Sequence, residues 1–301
     1  MQADQGLRAV IVGALDLGGT HVSGRRVPVG GTPATADAWY RVDFAPDASR
    51  EELLGAITQT ARMVDSQEVD RWAVAAPGPF DYERGVCTIH GVGKLESLYG
   101  VDLRAALGAV VRAPRTSTVF LNDAYAFALG EWWAGAARGH ERLLGITLGS
   151  GLGSGFVERG RRVGSGPSVP PGGELYRASF RGAPVEEIIS RRALLAGYGD
   201  PAVDVEEIAQ LARAGEDRAG AAIDRYASDL AELLAEWVAA FSPTCVVFGG
   251  SIARAWDLIS PPLVRRLDNV TVSLAERLDD AALLGAARFA AGTSSVVEWS
   301  R

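Results

Sequence analysis

The sequence specifies an α/β protein built as two lobes of like design. Two glycine-rich hairpins, "DLGGT" at 16–20 and "TLGSGLGSG" at 147–155, each sit between segments patterned as strands, and each lobe continues into alternating helices and strands. A cleft between two such lobes is the expected place for a ligand. A chain of 301 residues with 48% hydrophobic content can bury the core that this organisation needs.

Residues 8–16 read as a buried strand, and 21–29 and 34–44 alternate as two more, so the chain opens on an antiparallel meander. Ser49, with Glu51 and Glu52 behind it, starts a helix over 49–64. A strand at 71–78, a loop-rich stretch over 81–100 and a short helix at 99–108 follow. The strand 116–123 delivers its last residues into a helix at 124–139, and 141–164 is a strand, a glycine turn and a second strand. From 184 to 241 the pattern is helical, and Ile223, Tyr226, Leu230, Leu234 and Trp237 share one face. Residues 244–259 read as a strand, a Gly-Gly turn and a helix. The lobes divide as 1–121 and 122–287, with a C-terminal helix over about 288–301 packing back on the first.

Composition excludes several classes. The net charge is −7 and the basic residues are scattered arginines, with Lys94 the only lysine, so no footprint for nucleic acid or an anionic membrane is present. The run "AVIVGAL" is cut by Asp16, lacks a basic flank and is too short for a signal peptide or a spanning helix, which makes a cytoplasmic location the expectation. Cys87 and Cys245 lie far apart without a CxxC context and read as buried thiols. Lys94, His21, His90 and His140 read as surface or packing residues.

Four constellations carry chemistry. In "DLGGT", Asp16 precedes Gly18 and Gly19, which let backbone approach a phosphate, and Thr20 adds a hydroxyl; a plain hairpin turn explains the same residues. Gly149, Ser150 and Gly151 share that logic, and two such hairpins suit a polyphosphate gripped from opposite sides. Asn122 and Asp123, where a strand meets a helix, serve either as caps or as hydroxyl-orienting amide and proton acceptor, and the helix dipole would keep Asp123 weakly basic. Glu174 and Glu186 are exposed acids or, with Asn122 and Asp123, a ring of polyol acceptors. Gly249 and Gly250 end a strand where a planar base could lie, or where a helix packs.

Taken in order, Asp-x-Gly-Gly-Thr, Leu-Asn-Asp-Ala, the Gly-x-Gly-x-Gly hairpin, Gly-Glu-Leu and Val-Val-Phe-Gly-Gly are similar to the bacterial ROK family (repressor, open reading frame, kinase), in particular its glucokinase-like members, over nearly the whole chain. The resemblance implies the actin/hexokinase-like (ribonuclease H-like) two-lobed fold and an ATP-dependent kinase acting on the 6-hydroxyl of a hexose. It implies Asp123 as the base and Asn122 and Glu174 as sugar ligands, with Glu186 also touching the sugar. Gly18, Gly19 and Thr20 form the first phosphate loop and Gly149, Ser150 and Gly151 the second. Gly249 and Gly250 border the adenosine, and Asp16 stands near Mg2+, through water. A homodimer is among the assemblies the resemblance allows.

The chain departs from the family pattern at 172–187, "GGELYRASFRGAPVEE". Many members carry Gly-Glu-Ile-Gly-His and a cysteine-rich zinc loop there. Here Arg177 takes the histidine position and the cysteines are absent, so no structural zinc is expected and the sugar's anomeric side should be remodelled. Amino-glucoses such as kanosamine, or C7 cyclitols of antibiotic biosynthesis, then stand beside glucose as acceptors. Two other classes compete: a sugar-responsive repressor, disfavoured because few residues precede the first strand, and a nucleotide-dependent chaperone-like ATPase or silent sensor, which would not need Asn122, Asp123, Glu174 and Glu186 together.

Overall fold

A computed structural model of the protein describes residues 9–30, 39–65, 68–91, 94–112, 118–200 and 202–292. They form two compact units, one from the residues up to Gly130 together with those from Asp280 onward, the other Glu131–Asp279.

The first unit opens on the expected meander: β1 (Val10–Leu17), β2 (His21–Val29) and β3 (Trp39–Asp43) pair antiparallel. Helix α1 (Arg50–Val64) starts from a capping box in which the Ser49 hydroxyl accepts from the Glu52 N–H while Glu52 accepts from the Ser49 N–H. The chain then enters β4 (Arg71–Ala76), parallel to β1, the small β5 (Phe80–Asp81) and β6 (Val86–Cys87) hairpin, α2 (Leu103–Gly108), and β7 (Thr118–Asn122), parallel to β4. The sheet order is β3-β2-β1-β4-β7. Strand β7 hands over directly to α3 (Asp123–Ala134).

The second unit repeats this plan. Strands β8 (Arg142–Leu148), β9 (Leu152–Glu158) and β10 (Arg161–Arg162) are antiparallel. A hairpin of β11 (Ser179–Phe180) and β12 (Ala183–Pro184) leads into helices α4 (Val185–Ile188), α5 (Arg191–Tyr198), α6 (Val205–Arg213) and α7 (Asp217–Phe241). Strand β13 (Cys245–Gly249) returns parallel to β8, and after α8 (Trp256–Arg266), β14 (Thr271–Leu274) runs parallel to β13. The order β10-β9-β8-β13-β14 is that of the first sheet, so the mixed α/β architecture of two like units, expected from the two hairpins, is found.

Helix α9 (Ala281–Gly292) belongs to the first unit and packs on β1 and β4. It begins earlier than the helix read at 288–301, whose residues beyond 292 lie outside the described ones. Its seat explains where the units divide. A Cβ on Gly130 of α3 would run into the Ala281 carbonyl, and one on Gly285 of α9 into the Ala126 carbonyl, so the two helices meet backbone to backbone. The opening turns of α3 are thereby held in the first unit, and the division falls at 130/131 inside the helix rather than at 121/122. The helix itself stops at Ala134, short of the 139 read from sequence. The fully buried Glu131 carboxylate takes the N–H groups of Ala136 (2.7 Å), Glu276 (3.2 Å) and Arg277 (2.8 Å), turning the chain away.

Alternation along β2 sends Gly24 toward α1, where Thr60 and Val64 fill its missing side chain, and Arg25 toward the opposite face. There Arg25 pairs with Asp280 at 2.6 Å, the two side chains being 6% and 17% exposed. Cys87 and Cys245 are both buried free thiols, as expected. No helix among the described residues is long and apolar enough to cross a membrane.

A buried ion pair is costly to half-remove. Asp280→Ala is expected to lower unfolding stability by about 3 kcal/mol, read from denaturant midpoints, because it removes the carboxylate that meets the buried Arg25 guanidinium at 2.6 Å.

Candidate active site

Parallel register assembles the first cluster. Asp16 of β1 stands beside Ala75 of β4, and Ala76 beside Asn122 of β7, so Asp16, Asn122 and Asp123 arrive together at the carboxyl ends of the parallel strands. In open α/β sheets that edge is where ligands bind.

Asn122 and Asp123 divide the work that the sequence left open between them. Asn122, 7% exposed, is the cap: its Oδ1 accepts from the Tyr125 N–H at 3.0 Å. Its Nδ2 donates to the Tyr82 hydroxyl at 3.3 Å, and that hydroxyl donates to the Ala76 carbonyl. One amide N–H of Asn122 remains for a ligand. Asp123, the first residue of α3, accepts from the Ala124 N–H at 2.8 Å. Burial raises its pKa, against the opposing pull of Lys94 and that N–H. Asp123 is therefore not kept weakly basic, because desolvation outweighs the Lys94 charge and the backbone N–H groups at the helix start. Asp16 is pushed up to about 7, first by burial and then by the Asp123 charge.

The first hairpin closes with the Gly18 N–H donating to the His21 carbonyl at 2.9 Å, leaving Gly19 and Thr20 at its tip. Neither glycine is in the left-handed region; Gly18 is needed for space, whereas Gly19 leaves room for ordinary contact with Lys94. A Cβ on Gly18 would lie 2.9 Å from the His21 ring, and one on Gly19 would lie 3.4 Å from Lys94 Cδ. Burial and Arg41 lower the pKa of His21, in keeping with a packing role.

The second unit gathers the other residues. At the tip of β8–β9 the Gly149 N–H donates to the Gly151 carbonyl. Glu186 of α4 accepts the Leu152 N–H at 3.1 Å, and a Cβ on Gly151 would strike that carboxylate, so Glu186 braces the hairpin. Gly249 stands in register with Thr147. Gly250 has φ +89°, and a Cβ there would collide with the Leu148 backbone, so only glycine fits at the hairpin's root. Ser150 also lines a cavity of about 570 Å³ with Arg191, Arg192, Leu195 and Asp200. Sequence reading missed Arg191 and Arg192; their one signal is their place just after the Ser190 cap.

Glu174, 9% exposed, is held in an ion pair by Arg177 Nε at 3.2 Å, with Arg162 at 4.0 Å, and accepts from the Tyr176 hydroxyl at 3.3 Å. Ser154 fastens this loop to β9, donating to the Gly173 carbonyl and accepting from the Leu175 N–H. Where many relatives of the pattern have a zinc loop, β11 and β12 turn tightly at Arg181 (φ 51°) and Gly182 (φ 81°). Arg181 reaches Asp229 and Glu232 of α7 and lies 4.7 Å over the Phe180 ring. Among the described residues no group of three His, Cys, Asp or Glu side chains could hold a metal.

The ROK family model matches residues 12–293. The chain belongs to the ROK family. It is 31% identical to a glucokinase of Thermotoga maritima over 283 residues, covering 81% of this chain and 87% of that one. The structure of a ROK hexokinase from Thermus thermophilus is similar, with a TM-score of 0.74 at 26% identity over 92% of this chain and 97% of that one. That of a ROK family glucokinase from Streptomyces griseus, in complex with glucose and AMPPNP, shares the fold with a TM-score of 0.76 at 22% identity, covering 94% and 99%. The fold is thus the actin/hexokinase-like one.

Asp16 makes a pH prediction. Its folded pKa, about 7, lies above the ordinary 3.8, so the folded state binds more protons across that window and stability falls as pH rises through it. Asp16→Asn should flatten this fall and leave the unliganded protein more heat-stable than the parent at pH 8, measured by thermal unfolding. Coincident profiles would contradict it.

Proposed function

We propose that this ROK protein is an ATP-dependent sugar kinase that phosphorylates the 6-hydroxyl of a hexose, either glucose or an amino-glucose of the kanosamine type. The observation that carries the reading is Asp123: a carboxylate of raised pKa at the end of a parallel strand, next to a second acid and a glycine hairpin.

In this reading Asp123 takes the proton of the acceptor hydroxyl. Its raised pKa makes it a better base near neutrality than an exposed aspartate, and phosphoryl transfer asks mainly for positioning and charge neutralisation. Asn122 offers its remaining N–H to a neighbouring hydroxyl. The Gly19–Thr20 tip and, in the other unit, the Ser150–Gly151 tip each suit phosphate oxygens, and the Gly249–Gly250 stretch and the Ser150 cavity suit the nucleoside.

Asp16 fits a magnesium ion. Only burial and the Asp123 charge act on it, and a divalent cation offsets both. One carboxylate, waters and substrate phosphates are an ordinary magnesium set. When bound, the ion neutralises phosphate charge.

Acceptor choice turns on Glu174. Tied to Arg177 and near Arg162, it remains an acceptor for sugar hydroxyls, while the two guanidiniums oppose a substrate ammonium placed beside them. An amino-glucose is accordingly expected to bind with its amine away from Glu174.

Incubation with Mg·ATP and a panel of glucose, mannose, N-acetyl sugars, amino-glucoses and cyclitols, followed by ADP release, tests the function; no polyol above background overturns it. Asp123→Asn should lower kcat by about 10²- to 10⁴-fold while sugar binding, followed by calorimetry, persists. Arg177→Ala should raise the acceptor KM roughly tenfold with a smaller change in kcat, since Glu174 loses its partner but the reacting groups stay in place.

A further inference from the structure

Lys94 is the only lysine in the chain, against 29 arginines (30 basic residues less one). In a sequence that uses arginine for every other fixed positive charge, one ammonium has been kept. Its position is also singular. The half-buried side chain lies along the tip of the first hairpin, with Cδ at 3.4 Å and Cβ at 3.9 Å from the point a Gly19 Cβ would occupy. Its stem covers bare glycine backbone and its charge continues past it. That charge is felt at Asp123, whose carboxylate form it favours against the cost of burial. Lys94, Asp123 and Asp16 therefore form one electrostatic group at the hairpin.

The chemistry explains the choice of lysine. An ammonium is a compact charge with three donors, able to meet a carboxylate and a phosphoryl oxygen together, whereas a guanidinium spreads its charge over a broad planar fork. Two acids and a polyphosphate converge here, and a fixed cation is worth most where charge develops during transfer.

We propose that Lys94 is a catalytic residue whose ammonium spans the Asp123 carboxylate and the phosphoryl group delivered at the Gly18–Gly19–Thr20 hairpin. The inference rests on the kinase reading above. In the step, the acceptor oxygen bonds to the γ-phosphorus as the bond to the β-bridging oxygen breaks. The hydroxyl proton passes to Asp123, ADP leaves with the bonding electrons, and Lys94 keeps its protons throughout, donating hydrogen bonds to both sides.

Because Lys94 is the sole side-chain amine, pyridoxal phosphate followed by borohydride reports on this one residue, and peptide mapping separates it from the N-terminal amine. Magnesium with AMPPNP should slow its labelling about tenfold when the analogue is present at roughly ten times its dissociation constant. Lys94→Met should lower kcat about 100-fold or more with little change in acceptor KM, and Lys94→Arg should recover a minor part of that loss. Labelling that is indifferent to the nucleotide, or a Met variant as active as an active parent, overturns the inference alone. A parent that turns over no polyol overturns the kinase reading, and nucleotide protection still decides whether Lys94 meets the nucleotide.

Discussion

The parallel register of β1, β4 and β7 is the constraint from which the first unit's chemistry follows. It brings Asp16 and Asp123, far apart in sequence, to one sheet edge where burial holds both in the protonated direction and the Asp123 charge adds to the effect at Asp16. For Asp16 the shift from 3.8 to about 7 corresponds to about 4 kcal/mol withheld from the ionised form. A folded protein of ordinary stability tolerates that cost only if the surroundings are otherwise secure. The buried Arg25–Asp280 pair and the glycine contact of α3 with α9 supply that rigidity. Strain is thus confined to the strand ends, with a packed two-helix contact behind it.

The second sheet has the same strand order, and its hairpin repeats the same solution with different supports. In both hairpins glycine is required by what lies against the tip or root: His21 at Gly18 in the first, Glu186 and the Leu148 backbone at Gly151 and Gly250 in the second. This differs from the usual reason for glycine in a turn, since none of Gly18, Gly19, Gly149 and Gly151 at the hairpin tips has a positive φ. A side chain at Gly18 or Gly151 would displace His21 or Glu186 without straining the backbone.

Local signals were legible in the sequence and non-local ones were not. The α1 capping box, the first β-meander and the Gly-rich hairpins are written within a few residues, and each was readable there. Strand β14 was missed because four residues at a parallel edge carry no turn signal and no long alternation. Helix α9 was placed too late because its alanine-rich sequence is apolar on nearly every side, which weakens the helical period that marks a start. Motif order singled out Asp16, Asp123 and the glycines, but could not separate the capping role of Asn122 from the role of the desolvated acid beside it. Lys94 carries no motif at all, and its meaning lies in a contact with Gly19 that exists only after β1 and the loop before α2 have folded together.

The two units treat their acids in opposite ways, and this orders their roles. In the second unit the carboxylates are matched: Glu174 by Arg177 and the Tyr176 hydroxyl, Glu186 by the Leu152 N–H. Matched carboxylates keep a fixed geometry at little electrostatic cost, which suits groups that must recognise shape before reaction. In the first unit Asp16 and Asp123 are under-matched, with one ammonium and two backbone N–H groups, all acting on Asp123, against two acids. Groups left so respond strongly to an arriving cation or proton, which suits those that must change charge during reaction. An architecture of two like sheets therefore need not imply two like functions. The loops that follow each hairpin set how its acids are matched.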